Sequence, residues 1–138
     1  MESKKEITKN LLANSFKKLI LDIPFKNITI KMITDKSKVI RPTFYHHFKD
    51  KYEVLEYIVD EDIMKNIYEM VDSDMEYESL KIIFIRLEKN REFIKKAFKV
   101  EGQNSFKEIL GYKIYNIFIR IIDKHELNEL YYSNVLTK

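Results

Sequence analysis

Glycine and proline are scarce in this chain, with only two of each among 138 residues. Folds built from many tight turns between strands depend on those two residues, so the sequence argues against an all-β protein. Hydrophobic residues make up 45% of the chain and charged residues 34%, enough for a buried core under a solvated surface. We therefore predict an all-α fold.

The N-terminal segment has the clearest helix signals. Ser3 and Glu6 form a capping box, and apolar residues then recur at helical spacing. A first helix is predicted from about residue 4 to 22, ending before Pro24.

Two shorter helical patterns come next, separated by a few polar residues. Thr29 can cap a helix at about 30–36, and the segment 35–38 is predicted to be the turn. The next helix is predicted at about 41–48, where Pro42 is tolerated because first-turn amides have no helical acceptor. This layout is typical of a helix-turn-helix, in which the second helix enters a DNA major groove.

The charge is distributed unevenly along the chain. Residues 1–51 contain twelve Lys and Arg against five acids, a net charge of +7. Residues 52–138 contain thirteen Lys and Arg against seventeen acids, a net charge of −4. The whole-chain value of +3 hides this division, which indicates that the first part meets a polyanion.

The rest of the chain is also predicted to be helical. Asp50 and Glu53 form a second capping motif that opens a long helix to about Val71. Four further helical patterns lie at about 77–88, 91–100, 104–123 and 125–136. The pattern at 104–123 is apolar nearly all round, which favours the centre of a bundle or a subunit interface.

One set of residues matches a known family pattern in order and spacing without a gap: Phe16, Pro24, Phe25, Ile28, Thr29, Ile30, Ile33, Val39, Thr43, Phe44, Tyr45, His47, Phe48, Lys51 and Leu55. Through them, residues 4–55 resemble the DNA-binding domain of tetracycline-repressor-like (TetR) transcription regulators. The resemblance implies a DNA-binding domain at 1–50 and a helical regulatory and dimerisation domain at 51–138. It further implies a homodimer that reads an inverted-repeat operator, acts as a repressor and responds to a small-molecule inducer. The segment 93–106, with the residues after it, is weakly similar to activators of dihydroxyacetone-kinase operons.

The chain departs from the family pattern in three places. Lys38 stands where the family usually has the glycine of the turn, and Ile40 stands where Ser or Thr usually caps the recognition helix. Family members also commonly continue beyond the length of this chain, and their final helices form the dimer. These departures leave open an alternative: an interaction or co-regulator protein of the same fold that does not bind DNA specifically.

The exposed front of the third helix supplies the candidate base contacts: Arg41, Pro42, Thr43 and His46. Arg41 is the best candidate for a bidentate contact with guanine O6 and N7, and Thr43 can touch a thymine methyl or a phosphate. The alternative for Arg41 and His46 is an ordinary solvated surface.

Four other residues are candidate phosphate contacts. Tyr45 and Lys51 match family positions that hold phosphates, although Tyr45 can also serve only to pack its ring. Thr29 and Lys31 begin the helix that crosses the DNA backbone, and Thr29 can cap that helix as well.

Enzyme and metal chemistry find no support in the sequence. Cysteine is absent, and the adjacent His46 and His47 would point about 100° apart on a helix, so they cannot easily bind one ion. No nucleophile, cofactor loop or metal-ligand spacing is found, so no enzyme activity, cofactor or metal is predicted.

The aromatic residues of the predicted rear domain, residues 51–138, have two interpretations. They can form its core or line an inducer pocket, and the core is favoured. Those residues are Tyr57, Phe84, Phe98, Tyr112, Tyr115 and Phe118. The acidic stretches 60–62 and 72–78 are predicted to be solvated faces.

The first residues lack the apolar segment of a secretory signal, and Asn116 and Arg120 interrupt the longest apolar stretch. A cytoplasmic protein without a membrane span is therefore predicted.

Overall fold

The computed structural model describes residues 2–136 and is helical throughout, without a strand in that range. Residue 1 and residues 137–138, the outer ends of the two predicted domains, lie outside the described residues. The helices between residues 2 and 136 are α1 (Lys4–Asp22), α2 (Ile30–Ser37), α3 (Arg41–His47), α4 (Lys51–Ile58), α5 (Ile67–Asp72), α6 (Glu76–Lys89), α7 (Arg91–Ala97) and α8 (Phe106–Leu136). A 3-10 turn spans Phe25–Asn27, and a π-helical segment spans Val59–Met64. The all-α prediction is confirmed.

The caps predicted for the first two helices are formed. The Ser3 hydroxyl accepts a hydrogen bond from the Glu6 amide at 3.2 Å, and the Ser3 amide donates to the Glu6 carboxylate at 3.0 Å. The Thr29 hydroxyl accepts a hydrogen bond from the Met32 amide at 3.1 Å. These bonds satisfy amides that a helix start leaves without partners, which explains why α1 and α2 begin where the sequence predicts.

The turn between α2 and α3 lies later than predicted. Helix α2 continues to Ser37, so the turn comprises residues 38–40 rather than 35–38. Lys38 occupies the left-handed region at φ 59° and ψ 36°, and its amide bonds the carbonyls that end α2. A side chain with a Cβ costs roughly 1–2 kcal/mol there. Ile40 provides no side-chain cap for α3, as the sequence predicts.

The predicted long helix from Asp50 to Val71 is interrupted, so that prediction was wrong. Helix α4 ends at Ile58, and a π-helical segment and Asn66 at φ 66° separate it from α5. The Arg86 guanidinium donates to the carbonyls of Ile63 and Lys65 at 2.8 and 2.7 Å. Arg86 thereby satisfies acceptors that the break exposes, and asparagine tolerates the left-handed region better than most residues.

The two helices predicted at 104–123 and 125–136 are one continuous helix, α8. No residue between Gly111 and Leu136 is a glycine or proline, so nothing in the backbone stops the helix. Its 31 residues span about 46 Å at 1.5 Å per residue. His125 lies well inside α8 and is exposed.

The core of the first three helices is aromatic and closed. Phe16 and Phe44 are fully buried, Phe48 is 3% exposed and Phe25 is 9% exposed. The Phe16 and Phe25 rings meet edge to face at 6.0 Å between centroids. These residues and the buried Ile33 form the core of the helix-turn-helix.

The acidic stretches are not merely solvated, because cations of α8 and α1 pair with them. On α8, Lys113 contacts Asp60 at 2.6 Å and Glu56 at 3.3 Å. Further along α8, Arg120 pairs with Asp72 at 2.6 Å and Lys124 pairs with Glu76 at 2.9 Å. Since residues 113, 120 and 124 lie on one face of the helix, these pairs attach α8 along α4, α5 and α6. From α1, Lys17 contacts Asp62 at 2.7 Å.

The six aromatic residues predicted to form the core of the rear domain mostly lie outside it, so that prediction was wrong. Only Tyr57 is half-buried, and its hydroxyl donates to the Asn10 side chain at 2.6 Å. Phe84 is 71% exposed and Tyr112 is 67% exposed, and the others are exposed as well. Other residues, among them Ile67 and Phe106, fill this core instead.

Candidate nucleic-acid interface

Helix α3 packs against the core through Phe44, and several of its other side chains are exposed. Phe44 is fully buried, and the Phe48 amide donates to its carbonyl at 2.8 Å to close the helix. Arg41, Tyr45 and His46 are exposed. Tyr45 and His46 lie about 100° and 200° around the helix from the buried Phe44, and Arg41 is the first residue of the helix. A helix anchored in this way presents a short, rigid set of side chains to a groove.

Arg41 is free to make external contacts. It is exposed, and its guanidinium forms no hydrogen bond or ion pair with any residue in the described range 2–136. Pro42, in the first turn, is exposed and Thr43 is half-buried. An unpaired guanidinium at the front of a helix has the chemistry for the bidentate guanine contact that the sequence predicts.

Tyr45 and His46 complete the exposed face of α3. Tyr45 is 50% exposed, and its ring packs edge to face on Phe44 at 5.4 Å, which holds the ring while leaving the hydroxyl outside. The geometry accommodates both interpretations of Tyr45, ring packing and phosphate contact.

The start of α2 carries the other predicted phosphate contacts. Thr29 is exposed, but its hydroxyl already caps the helix. Lys31 pairs with Asp35 at 2.7 Å, and both side chains are largely exposed, at 73% and 64%. Such a surface pair contributes less than about 1 kcal/mol, so Lys31 can exchange its partner for a phosphate at little cost.

Lys51 has a structural role that the sequence did not reveal. Its ammonium donates to the carbonyls of Phe25 and Ile28 at 2.6 and 2.9 Å. It also lies 4.3 Å from the centroid of the Phe25 ring. Burial lowers the pKa of Lys51 below its ordinary value. Lys51 therefore stabilises the turn before α2. One of its three N–H donors remains available for a phosphate.

The adjacent histidines do not form a metal site. Their rings meet edge to face at 5.2 Å between centroids, and no group of metal-ligating side chains occurs within the described part of the chain. The Nδ1 atom of His47 is buried without a hydrogen-bond partner. Burial, followed by the charges of His46, Lys5 and Lys9, lowers the pKa of His47 below its ordinary value.

Sequence reasoning missed two cations beside the interface. Lys9 of α1 lies 4.7 Å from the Tyr57 ring centroid and 5.4 Å from that of Phe48. Burial, with the charge of Glu61 next, raises the pKa of Tyr57 to about 12, so the Tyr57 hydroxyl stays protonated and donates to Asn10. Lys38 is exposed in the turn directly before α3. Only its position, where a glycine is expected, marked Lys38 in the sequence.

Comparison with known proteins agrees with this geometry. The family model described as "Bacterial regulatory proteins, tetR family" matches residues 17–58, the segment from the middle of α1 to the end of α4. The chain is 25% identical over 132 residues to the HTH-type dhaKLM operon transcriptional activator DhaS of Lactococcus lactis subsp. lactis (strain IL1403). That similarity covers 96% of this chain and 70% of the relative. No solved structure matches the chain at a significant level.

None of the helices described between residues 2 and 136 combines the length and apolar character needed to cross a membrane. The exposed α3, the net positive charge of residues 1–51 and the two sequence matches agree with one another. The N-terminal part of this chain is therefore a tetR-type helix-turn-helix DNA-binding domain, and the chain as a whole is similar to a transcriptional regulator.

Proposed function

We propose that this protein reads a specific inverted-repeat operator as a homodimer. The observation that carries the proposal is the exposed Arg41 at the start of α3, which has no partner within residues 2–136, while Phe44 anchors the same helix in the core. Arg41, Pro42, Thr43 and His46 are assigned to base edges. Lys31, Tyr45 and the remaining N–H of Lys51 are assigned to phosphates, and Thr29 positions α2.

The outer surface of α8 supports the dimer. Eleven large hydrophobic side chains of this helix are exposed, among them Tyr112, Tyr115, Ile122 and Leu130. Monomers rarely expose apolar patches of more than a few hundred Å². A second copy related by a two-fold axis would cover this surface, and it would place two α3 helices in successive major grooves about 34–36 Å apart.

The direction of regulation has two candidates. Repression follows from the family pattern, because a dimer on an operator within a promoter blocks the polymerase. Activation is favoured by the relative DhaS, which is described as a transcriptional activator. Transcription in vitro from a promoter carrying the selected operator, with and without the protein, distinguishes the two.

A small-molecule signal is proposed to act through the rear helices. A ligand that binds more tightly to one separation of the two α3 helices shifts the population toward it and changes operator affinity. The cation pairs between α8 and the helices α4 to α6 supply a direct connection between the dimer surface and α4.

The test is selection of bound duplexes from a random DNA library near physiological salt. Enrichment of a palindrome supports specific reading by a dimer, and its half-site spacing measures the distance between the two α3 helices. A single enriched half-site supports DNA reading without a stable dimer. No enrichment by the folded protein would favour the co-regulator alternative.

Arg41→Ala tests the assignment of α3 on the selected operator. We expect a loss of roughly 1–3 kcal/mol in binding and relaxed selectivity at one base position. Arg91→Ala, an exposed arginine of α7, is the matched control and should leave binding unchanged. Unchanged selectivity in Arg41→Ala would show that α3 is docked differently.

A further inference from the structure

A cleft of about 670 Å³ lies between the helix-turn-helix and the end of α7. One wall consists of the end of α1, the 3-10 turn and the start of α4, and the other consists of Lys96 and residues 99–101. Ligand sites typically have volumes of roughly 300–1,000 Å³ and often lie where domains meet. The cleft therefore has the size and the position of a small-molecule site.

Six charged side chains line this cleft. None of the six forms an ion pair within residues 2–136, in contrast to the cations of α8. They are Lys26, Lys51, Lys96, Lys99, Asp22 and Glu101. Lysines outnumber carboxylates by four to two, so the cleft has an unsatisfied positive charge that suits an anion.

The remaining lining is apolar and aromatic. The Phe25 and Tyr52 rings meet edge to face at 5.0 Å between centroids. Leu21, from the end of α1, also lines the cleft and is 41% exposed. A ligand that fills the cleft therefore needs an apolar body as well as a charge.

We infer that this cleft binds a small molecule that carries a phosphate or carboxylate group on an aromatic or similarly apolar body. Lys96 and Lys99 contact the anionic group, and the apolar body packs against Tyr52 and Phe25. This inference rests on the proposed function only for its effect on DNA binding, since the cleft can take a ligand in either case.

Lys51 connects the cleft to the DNA-reading helices. Its ammonium joins the Phe25 and Ile28 carbonyls directly before α2, and the same side chain lines the cleft. A ligand against Phe25 and Lys51 would shift the turn that sets the start of α2, and with it the placement of α3. Ligand binding is therefore coupled to operator affinity.

Calorimetric titration of the full chain tests the inference, with 1-naphthyl phosphate as probe and with 1-naphthol and inorganic phosphate as partial probes. We expect one 1-naphthyl phosphate per chain, bound about tenfold or more tightly than either partial probe. Lys96→Gln with Lys99→Gln should weaken binding about tenfold or more. Lys95→Gln with Lys107→Gln, an equal loss of exposed charge outside the cleft, should leave binding unchanged.

Three outcomes overturn the inference: equal affinity for 1-naphthol, equal weakening in both double variants, or several probe molecules per chain. Displacement of the probe by a random DNA duplex, with duplex binding lost in the Lys96 and Lys99 variant, would assign the charge to the DNA backbone instead. Circular dichroism melting verifies that each variant is folded. Because the titration contains no DNA, its result is independent of whether the protein reads a specific operator.

Discussion

The helix-turn-helix and the rear helices of this protein present their aromatic side chains in different ways. Within residues 2–50, the phenylalanines Phe16, Phe25, Phe44 and Phe48 are all buried, and only Tyr45 of α3 is exposed. Within residues 51–136, Phe93 and Phe106 are buried, whereas Phe84, Tyr112, Tyr115 and Phe118 are exposed. The first region completes its core among its own helices, whereas the second leaves large apolar side chains exposed.

This difference explains why local sequence rules worked well in one region and poorly in the other. Helices α1 to α3 begin and end at caps and turns encoded by neighbouring residues. The break after α4 and the course of α8 depend on residues distant in sequence, such as Arg86 and Asp72. Sequence periodicity shows which residues are apolar, but it does not show which other helix packs against them.

The largest expected effect is on the free energy of unfolding, when an aromatic side chain is removed from each of the two regions. Phe44→Ala should lower the free energy of unfolding by about 3–5 kcal/mol, because it opens a cavity in a closed core. Phe84→Ala, at a side chain 71% exposed, should change it by less than about 0.5 kcal/mol. Urea denaturation measures both. Similar losses would mean that the rear aromatics are buried in solution by another contact.

The next effect tests whether a second copy covers α8. Tyr115→Glu with Ile122→Glu places two charges on its exposed surface and should weaken the dimer on the order of 100-fold. Sedimentation velocity at several concentrations measures the change. Tyr77→Glu, on exposed α6, is the control. A monomeric wild type, or a dimer that survives the double variant, would exclude α8 as the interface.

Lys51→Met separates the structural role of this residue from a role at phosphates. It should cost about 1–2 kcal/mol in unfolding, because the Phe25 and Ile28 carbonyls lose their donor. A phosphate contact would also reduce the slope of log affinity against log salt by about 0.9. An unchanged slope with a lowered stability would leave only the structural role.

The smallest expected effect concerns the turn of the helix-turn-helix. Lys38→Gly should stabilise the fold by about 0.5–1 kcal/mol, because glycine adopts φ 59° without the cost of a Cβ. Lys36→Gly, inside α2, should instead destabilise it by about 1 kcal/mol. Thermal unfolding compares the two. Destabilisation by Lys38→Gly would show that the lysine side chain makes a stabilising contact.

Much of the DNA-reading region could be predicted from the sequence. The starts of α1 and α2 follow from caps, and the start of α3 follows from Pro42 in its first turn. The exposure of Arg41 follows from its place at the front of α3. The contacts of these residues with DNA remain predictions. The role of Lys51 could not be predicted, because its acceptors lie 26 and 23 residues away in the chain.

The sequence by itself determined the all-α class, the helix-turn-helix and the division of charge between the two regions. These features depend on periodicity, capping and composition, which act over one or two helical turns. Only the tertiary structure decided that α4 stops at Ile58 and that Lys113 pairs with Asp60. Each of these depends on partners that the chain brings together only when it folds.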